Sequence, residues 1–121
     1  MSNLKTLVVG ASENKERYSN MAVKMLLQYH HPVFAFGIKK GKINDTEIVT
    51  YLPEPHSIDT ITLYLSPKNQ ESIMQTCLAL KPRRIIFNPG TENPLFIQKA
   101  QEFGIEAIEA CTLVMLRTKQ Y

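Results

Sequence analysis

Short apolar runs alternate with stretches of helical spacing along the whole chain. Leu4 to Val9 reads as a buried strand that ends at Gly10. From about Ser19 to His30, the spacing of Ala22, Val23, Leu26 and Leu27 predicts a helix with one apolar face, broken at Pro32. Val33 to Ile38 is a second buried strand. Residues 39–59 are punctuated by Gly41, Asn44-Asp45, Pro53 and Pro55, and only Glu47 to Leu52 has the character of a short edge strand. Thr60 to Leu65 alternates Ile61, Leu63 and Leu65 with Thr62 and Tyr64, the period of a strand. Ser66-Pro67 supplies an N-cap and a first-turn proline for the next helix, whose inner face carries Ile73, Cys77 and Leu80. A strand from Arg84 to Phe87, a tight loop at Asn88-Pro89-Gly90-Thr91, a helix from Glu92 to Phe103 stopped by Gly104, a strand from Ile105 to Ile108 and a helix from about Cys111 to Lys119 complete the pattern.

Strand, loop and helix repeat with short connections, the signature of parallel βαβ units with right-handed crossovers. The expected fold is α/β: a three-layer, doubly wound parallel sheet of six strands in the order 3-2-1-4-5-6. With 121 residues, the chain has the size of a single domain, residues 1–121, and needs no disulfide or metal to fold. No apolar run approaches the ~20 residues that span a bilayer. The opening residues contain no charged leader or cleavage site, so a cytoplasmic location and no membrane association are expected. Cys77 and Cys111 share no motif and read as reduced thiols, and no metal-ligand spacing occurs.

Fourteen Lys and Arg against eleven Asp and Glu give a net charge of +3. The basic residues form no block longer than Lys39-Lys40 or Arg83-Arg84, which argues against nucleic acid and suits a small anion. In a doubly wound sheet the ligand lies beyond the carboxyl ends of the strands, where strand order reverses. That rule singles out the loop after the first strand, Gly10 to Asn20, and the Ser66-Pro67 loop, with Lys39 to Gly41 and Asn88 to Thr91 on the same rim. The first loop has one glycine where a dinucleotide fingerprint has three. Gly10 allows a sharp exit from the strand. Ser12 and Ser19 offer hydroxyls, Arg17 a fork of donors, and the helix start at Ser19-Asn20 free N–H groups, together a cradle for a diphosphate. NAD-binding proteins place an acid after the second strand to hold ribose hydroxyls, and this chain has Lys39-Lys40 instead. The pair favours a ligand with an extra ribose phosphate, coenzyme A or NADP.

Val8-Val9-Gly10-Ala11-Ser12 followed by Arg17-Tyr18-Ser19-Asn20 resembles the opening of small bacterial CoA-binding proteins, single-domain relatives of the CoA-binding domain of the succinyl-CoA synthetase alpha subunit. Asn88-Pro89-Gly90-Thr91-Glu92-Asn93-Pro94 and Glu109 to Leu116 fit the same group, so the resemblance covers essentially the whole chain. It implies a Rossmann-like fold and coenzyme A or an acyl-CoA as ligand, with NADP the lesser candidate. It places Ser12, Arg17, Tyr18 and Ser19 at the diphosphate and Lys39 and Lys40 near the adenosine and its 3′-phosphate, and Gly10, Ala11 and Asn20 are expected among the binding residues of the same loop. Ser66, Pro67, Asn88, Pro89 and Gly90 would line the groove toward the pantetheine arm. Relatives that end the second strand in an Asn-Pro-like turn differ from this chain, which has Gly37-Ile38 there.

The synthetase works through a phosphorylated histidine in a second domain that has no counterpart here. His30 and His31 end a helix, where the dipole favours an imidazolium, and His56 lies in a proline-flanked loop. No Ser, Cys or Asp partner stands at motif spacing from any of them. Cys111 follows the last strand without an identifiable base. The expected role is therefore non-catalytic binding. The alternatives are an NADP-dependent or acyl-CoA-processing enzyme completed by a dimer, and a ligand-free scaffold or regulator. The apolar stretch Leu113 to Leu116 is suited either to covering the sheet or to meeting a second chain or protein partner.

Overall fold

The structure, a computed structural model, describes residues 3–121. Seven strands form one sheet: β1 (Thr6–Val9), β2 (Val33–Phe36), β3 (Gly41–Ile43), β4 (Thr46–Val49), β5 (Thr60–Leu63), β6 (Arg84–Phe87) and β7 (Glu106–Glu109). The helices are α1 (Tyr18–Gln28), α2 (Pro67–Gln70), α3 (Met74–Ala79), α4 (Pro94–Glu102) and α5 (Thr112–Arg117). The sheet order is β3-β4-β2-β1-β5-β6-β7, parallel throughout except that β3 runs antiparallel to β4. The fold is α/β and Rossmann-like.

Each face of the sheet buries its own core. Leu7, Val9, Ile61, Leu63, Ile85 and Phe87 pack against Cys77 and Leu78 of α3 and Phe96 and Ala100 of α4. The Phe87 and Phe96 rings meet edge to face at 5.3 Å. On the other face Val8, Ala35 and Ile48 pack beneath Val23 and Leu26 of α1 and Leu116 of α5. Leu113 and Leu116 are buried, so α5 covers the sheet, while Val114 points outward.

The six expected strands keep their expected order, and the sheet gains a seventh. Gly41–Ile43 pairs with Thr46–Val49 across the two-residue turn Asn44-Asp45, with Asn44 in the left-handed region at φ 53°. Its three residues contribute one buried side chain, Ile43, too weak a pattern to read as a strand. The helix expected from Ser66 onward is two helices, because the chain turns between Gln70 and Met74. α1 starts at Tyr18 with Arg17 as its N-cap, one residue before Ser19.

His31 departs from the expectation of a charged imidazole. α1 closes with His30 in the left-handed conformation at φ 69°, the His30 N–H donating to Leu27 O and the His31 N–H to Leu26 O. His31 thus leaves the helix axis, and its Nδ1 accepts the Leu4 N–H at 3.0 Å, which requires a lone pair there. Burial, with Arg84 and His30 nearby, holds its pKa below the ordinary 6.5. Arg84 is itself buried. It donates to Thr60 Oγ1 at 2.9 Å and lies 4.4 Å from the centre of the Tyr121 ring.

Beyond β6, Asn88 is also buried and internally committed. Its Nδ2 donates to Thr62 Oγ1 at 2.7 Å and Leu63 O at 2.8 Å, and its Oδ1 accepts the Thr112 N–H at the start of α5. Gln70 does the same between neighbouring loops, donating to Leu65 O and Thr91 O and accepting from Asn93 Nδ2. Asn93 in turn caps α4 by accepting the Phe96 N–H.

Two outcomes follow from these contacts. A group with a depressed folded pKa stabilises the protein above its unfolded pKa and loses that contribution as pH falls. Stability measured by denaturant unfolding should therefore drop as pH falls below 6.5, and His31→Gln should flatten that slope. Asn88→Ala strands buried donors and acceptors and should lower stability by about 2–4 kcal/mol; an unchanged unfolding midpoint would remove Asn88 from the framework.

Candidate functional site

The chain leaves β1 between its two parallel neighbours, the point where strand order reverses. There the first loop is held closely on both sides. The N–H groups of Gly10 and Ala11 both donate to Phe36 O at 2.9 Å, and the Tyr64 N–H donates to Val9 O at 2.8 Å. Gly10 has φ 100°, and a Cβ there would lie 3.1 Å from Tyr64 O. At the end of β2, a Cβ on Gly37 would lie 2.6 Å from Ala11 O, so only glycine lets the two backbones approach this closely.

Above this junction lies an open cleft of about 810 Å³, within the size range of small-molecule sites. The first loop, the turn after β2 and the segment around α2 form its walls. Four basic side chains line it, Arg17, Lys39, Lys40 and Lys68, against two acidic ones, Glu13 and Glu71. Phe36, Ile38, Ile48, Leu65 and Ile73 supply apolar surface, and Ile38 is 91% exposed. The cleft therefore combines excess positive charge with hydrocarbon at the end of a parallel sheet.

The first loop is shaped by its own side chains. Ser12 Oγ accepts the Asn14 N–H at 3.1 Å, and Asn14 Oδ1 accepts the Glu16 N–H at 2.9 Å. Asn20 reaches up from α1 and donates to Ser12 O at 2.9 Å. At the start of α1 the N–H groups of Tyr18 and Ser19 lack intrahelical acceptors, as at any helix start. Tyr64 lines the cleft from just beyond β5, and burial pushes its phenol up to about 12. Its hydroxyl lies near Thr62 and Thr112 but meets neither at hydrogen-bonding geometry.

The cleft gathers six of the residues singled out from the sequence: Gly10, Ala11, Ser12, Arg17, Lys39 and Lys40. The other eight lie outside its lining. Tyr18 is exposed, while Ser19 and Asn20 are buried on the inner side of α1, and the Asn20 side chain supports the loop from behind through its bond to Ser12 O. Ser66 and Pro67 are exposed next to the lining residues Lys68 and Asn69. Pro89 and Gly90 are exposed beyond β6, and Asn88 is held in its internal network. Sequence reasoning missed Glu13 and Asn14 in the first loop, the apolar Phe36, Ile38 and Ile48, Tyr64 and Leu65, and Lys68, Asn69, Glu71, Ser72 and Ile73 around the break between α2 and α3. Tyr64 and Leu65 were within reach, because the switch-point rule names the end of the strand that carries them. Lys68 to Ile73 depends on the break between α2 and α3.

Among the described residues, no group of three His, Cys, Asp or Glu side chains is placed to hold a metal ion. Cys111 is half-buried at the start of α5, and Cys77 is in the core, where burial pushes its thiol up to about 12. Among the described residues, no helix is long and apolar enough to cross a membrane.

Comparison with solved structures bears out the fold. A crystal structure of a protein described only as uncharacterized shares 40% identity, with a TM-score of 0.96 over the full length of both chains. A hypothetical protein from Pyrococcus horikoshii OT3 matches at 23% identity and a TM-score of 0.86, covering 96% of this chain and 83% of its own. The acetyl-coenzyme A synthetase 1 of Ca. Korarchaeum cryptofilum, solved with phosphate and ADP, matches at 14% identity and a TM-score of 0.73, over 88% of this chain and 25% of its own. No curated protein matches. The CoA binding domain family matches residues 5–117, almost the entire chain, and the chain belongs to that family.

Proposed function

We propose that this protein binds coenzyme A, or an acyl-CoA, in the cleft at the switch point and holds it without chemistry of its own. The observation that carries this reading is the convergence of Arg17, Lys39, Lys40 and Lys68 on one cleft at the carboxyl ends of β1 and β5. Coenzyme A carries a diphosphate and a separate phosphate on its adenosine ribose, so it requires cations at two places. Arg17 and the N–H groups at the start of α1 meet the diphosphate, where a fork of donors and a helix N-terminus suit phosphate oxygens. Lys39 and Lys40 meet the ribose phosphate. Ile38 offers an apolar surface to the adenine, and Leu65 and Ile73 line the path of the pantetheine arm. The reading places the protein in the cytoplasm, where coenzyme A is at hand, and makes residues 1–121 one binding domain that can present its ligand to a protein partner or a second copy.

Titration calorimetry with coenzyme A, dephospho-CoA and NADP tests the proposal. Coenzyme A should bind, and dephospho-CoA should bind about tenfold more weakly, a difference of about 1.4 kcal/mol. Equal affinity for the two would remove the lysines from the site, and tighter binding of NADP would replace the ligand. Arg17→Ala should weaken both CoA forms about equally, because both keep the diphosphate. A loss confined to coenzyme A would instead assign Arg17 to the ribose phosphate.

A further inference from the structure

Lys39 and Lys40 sit on an exposed turn between β2 and the edge strand β3. Long lysine side chains on a free turn select weakly, because ordering them on binding costs conformational entropy. This turn, however, is held at both ends. At its start the Gly37 N–H donates to Val49 O at 2.9 Å, and Gly37 packs against Ala11 O. At its far end Glu13, from the first loop, reaches across and its Oε2 accepts the Lys42 N–H at 2.8 Å. Gly41 makes room for this contact: a Cβ there would lie 2.5 Å from Glu13 Cδ and 2.6 Å from its Cγ. Glu13 is thus an acid lining a cleft of mostly basic side chains, engaged with a backbone N–H of the opposite wall. Among the described residues, ion pairs within 4.0 Å join Arg83 to Asp59 and to Glu106, and none holds Lys39 or Lys40. The carboxylate fixes the backbone that carries the two ammonium groups and leaves both of them free.

We infer that Glu13 is a positioning residue: by bonding the Lys42 N–H against Gly41 it locks the Lys39-Lys40 turn to the first loop and so sets the selectivity for a phosphorylated ribose. This inference rests on the coenzyme A reading above. Glu13 contributes through its hydrogen bond, and its charge alone works against an anionic ligand. Three variants separate the two effects. Glu13→Ala removes both bond and charge. Glu13→Gln removes the charge and keeps an acceptor oxygen. Gly41→Ala keeps the charge and displaces the flexible side chain that makes the bond.

The full chain and the three variants would be titrated with coenzyme A and with dephospho-CoA, and exchange of the Lys42 amide hydrogen would be followed without ligand. Glu13→Ala and Gly41→Ala should each lower the preference for coenzyme A over dephospho-CoA by about threefold or more, and both should speed Lys42 exchange. Glu13→Gln should retain the preference and the protection. An unchanged preference in Glu13→Ala, or a Glu13→Gln that behaves like Glu13→Ala, would overturn the inference. If the unmodified protein bound neither compound, the coenzyme A reading and the selectivity role would fall together. Lys42 exchange would then decide the lock alone, and equal rates in the unmodified protein and Glu13→Ala would dismiss it.

Discussion

β1 is four residues long, wholly buried, flanked by a parallel strand on each side and covered by helices on both faces. A strand in that position cannot shift without disturbing both cores. Its exit is fixed just as tightly, because Phe36 O accepts two N–H groups from the residues that follow it and Val9 O accepts the Tyr64 N–H. The first loop therefore begins from an immobile base. Its first residues and their closeness to the end of β2 derive from that exit, while Ser12, Asn14 and Asn20 shape the rest of the loop. Gly37 completes the arrangement by having no side chain where the Ala11 carbonyl passes.

The rim beyond the strands divides into two regions with different chemistry. On the β5–β6 side, Asn88, Gln70 and Asn93 bond to one another's loops and to the first turns of α4 and α5. These buried amides satisfy backbone groups that would otherwise be stranded away from water. They make that side a rigid frame. On the β1–β2 side the basic side chains Arg17, Lys39 and Lys40 are exposed above apolar residues and, among the described residues, form no ion pair. One region holds the loops in place and the other leaves its basic side chains exposed. The position of each loop relative to the switch point determines which it becomes.

Much of this was legible along the chain. Alternating apolar runs and helical spacings were enough for the α/β class and for the relative order of six of the seven strands, because burial on both faces leaves a continuous apolar signature that survives in one dimension. The switch-point rule pointed to the first loop and the Lys39-Lys40 turn, which do line the cleft, and the residue types there carry its positive charge. The signals failed where a residue's partner lies far along the chain. Asn88 reads as a rim residue because its partners, Thr62 and Thr112, are 26 and 24 positions away. His31 reads as a helix-end cation because its partner, the Leu4 N–H, is 27 positions away. β3 is invisible because an edge strand of three residues buries a single side chain.

The order of residues thus settled the class of fold, the loops that meet at the rim and the sign of the charge they carry, since those follow from local periodicity and composition. Folding in three dimensions decided which side chains of those loops face the cleft, which are consumed in holding neighbouring loops, and that a glutamate from the first loop grips the basic turn. Hydrogen bonds are short-ranged and directional, so their pairing depends on distances between segments that no local pattern encodes.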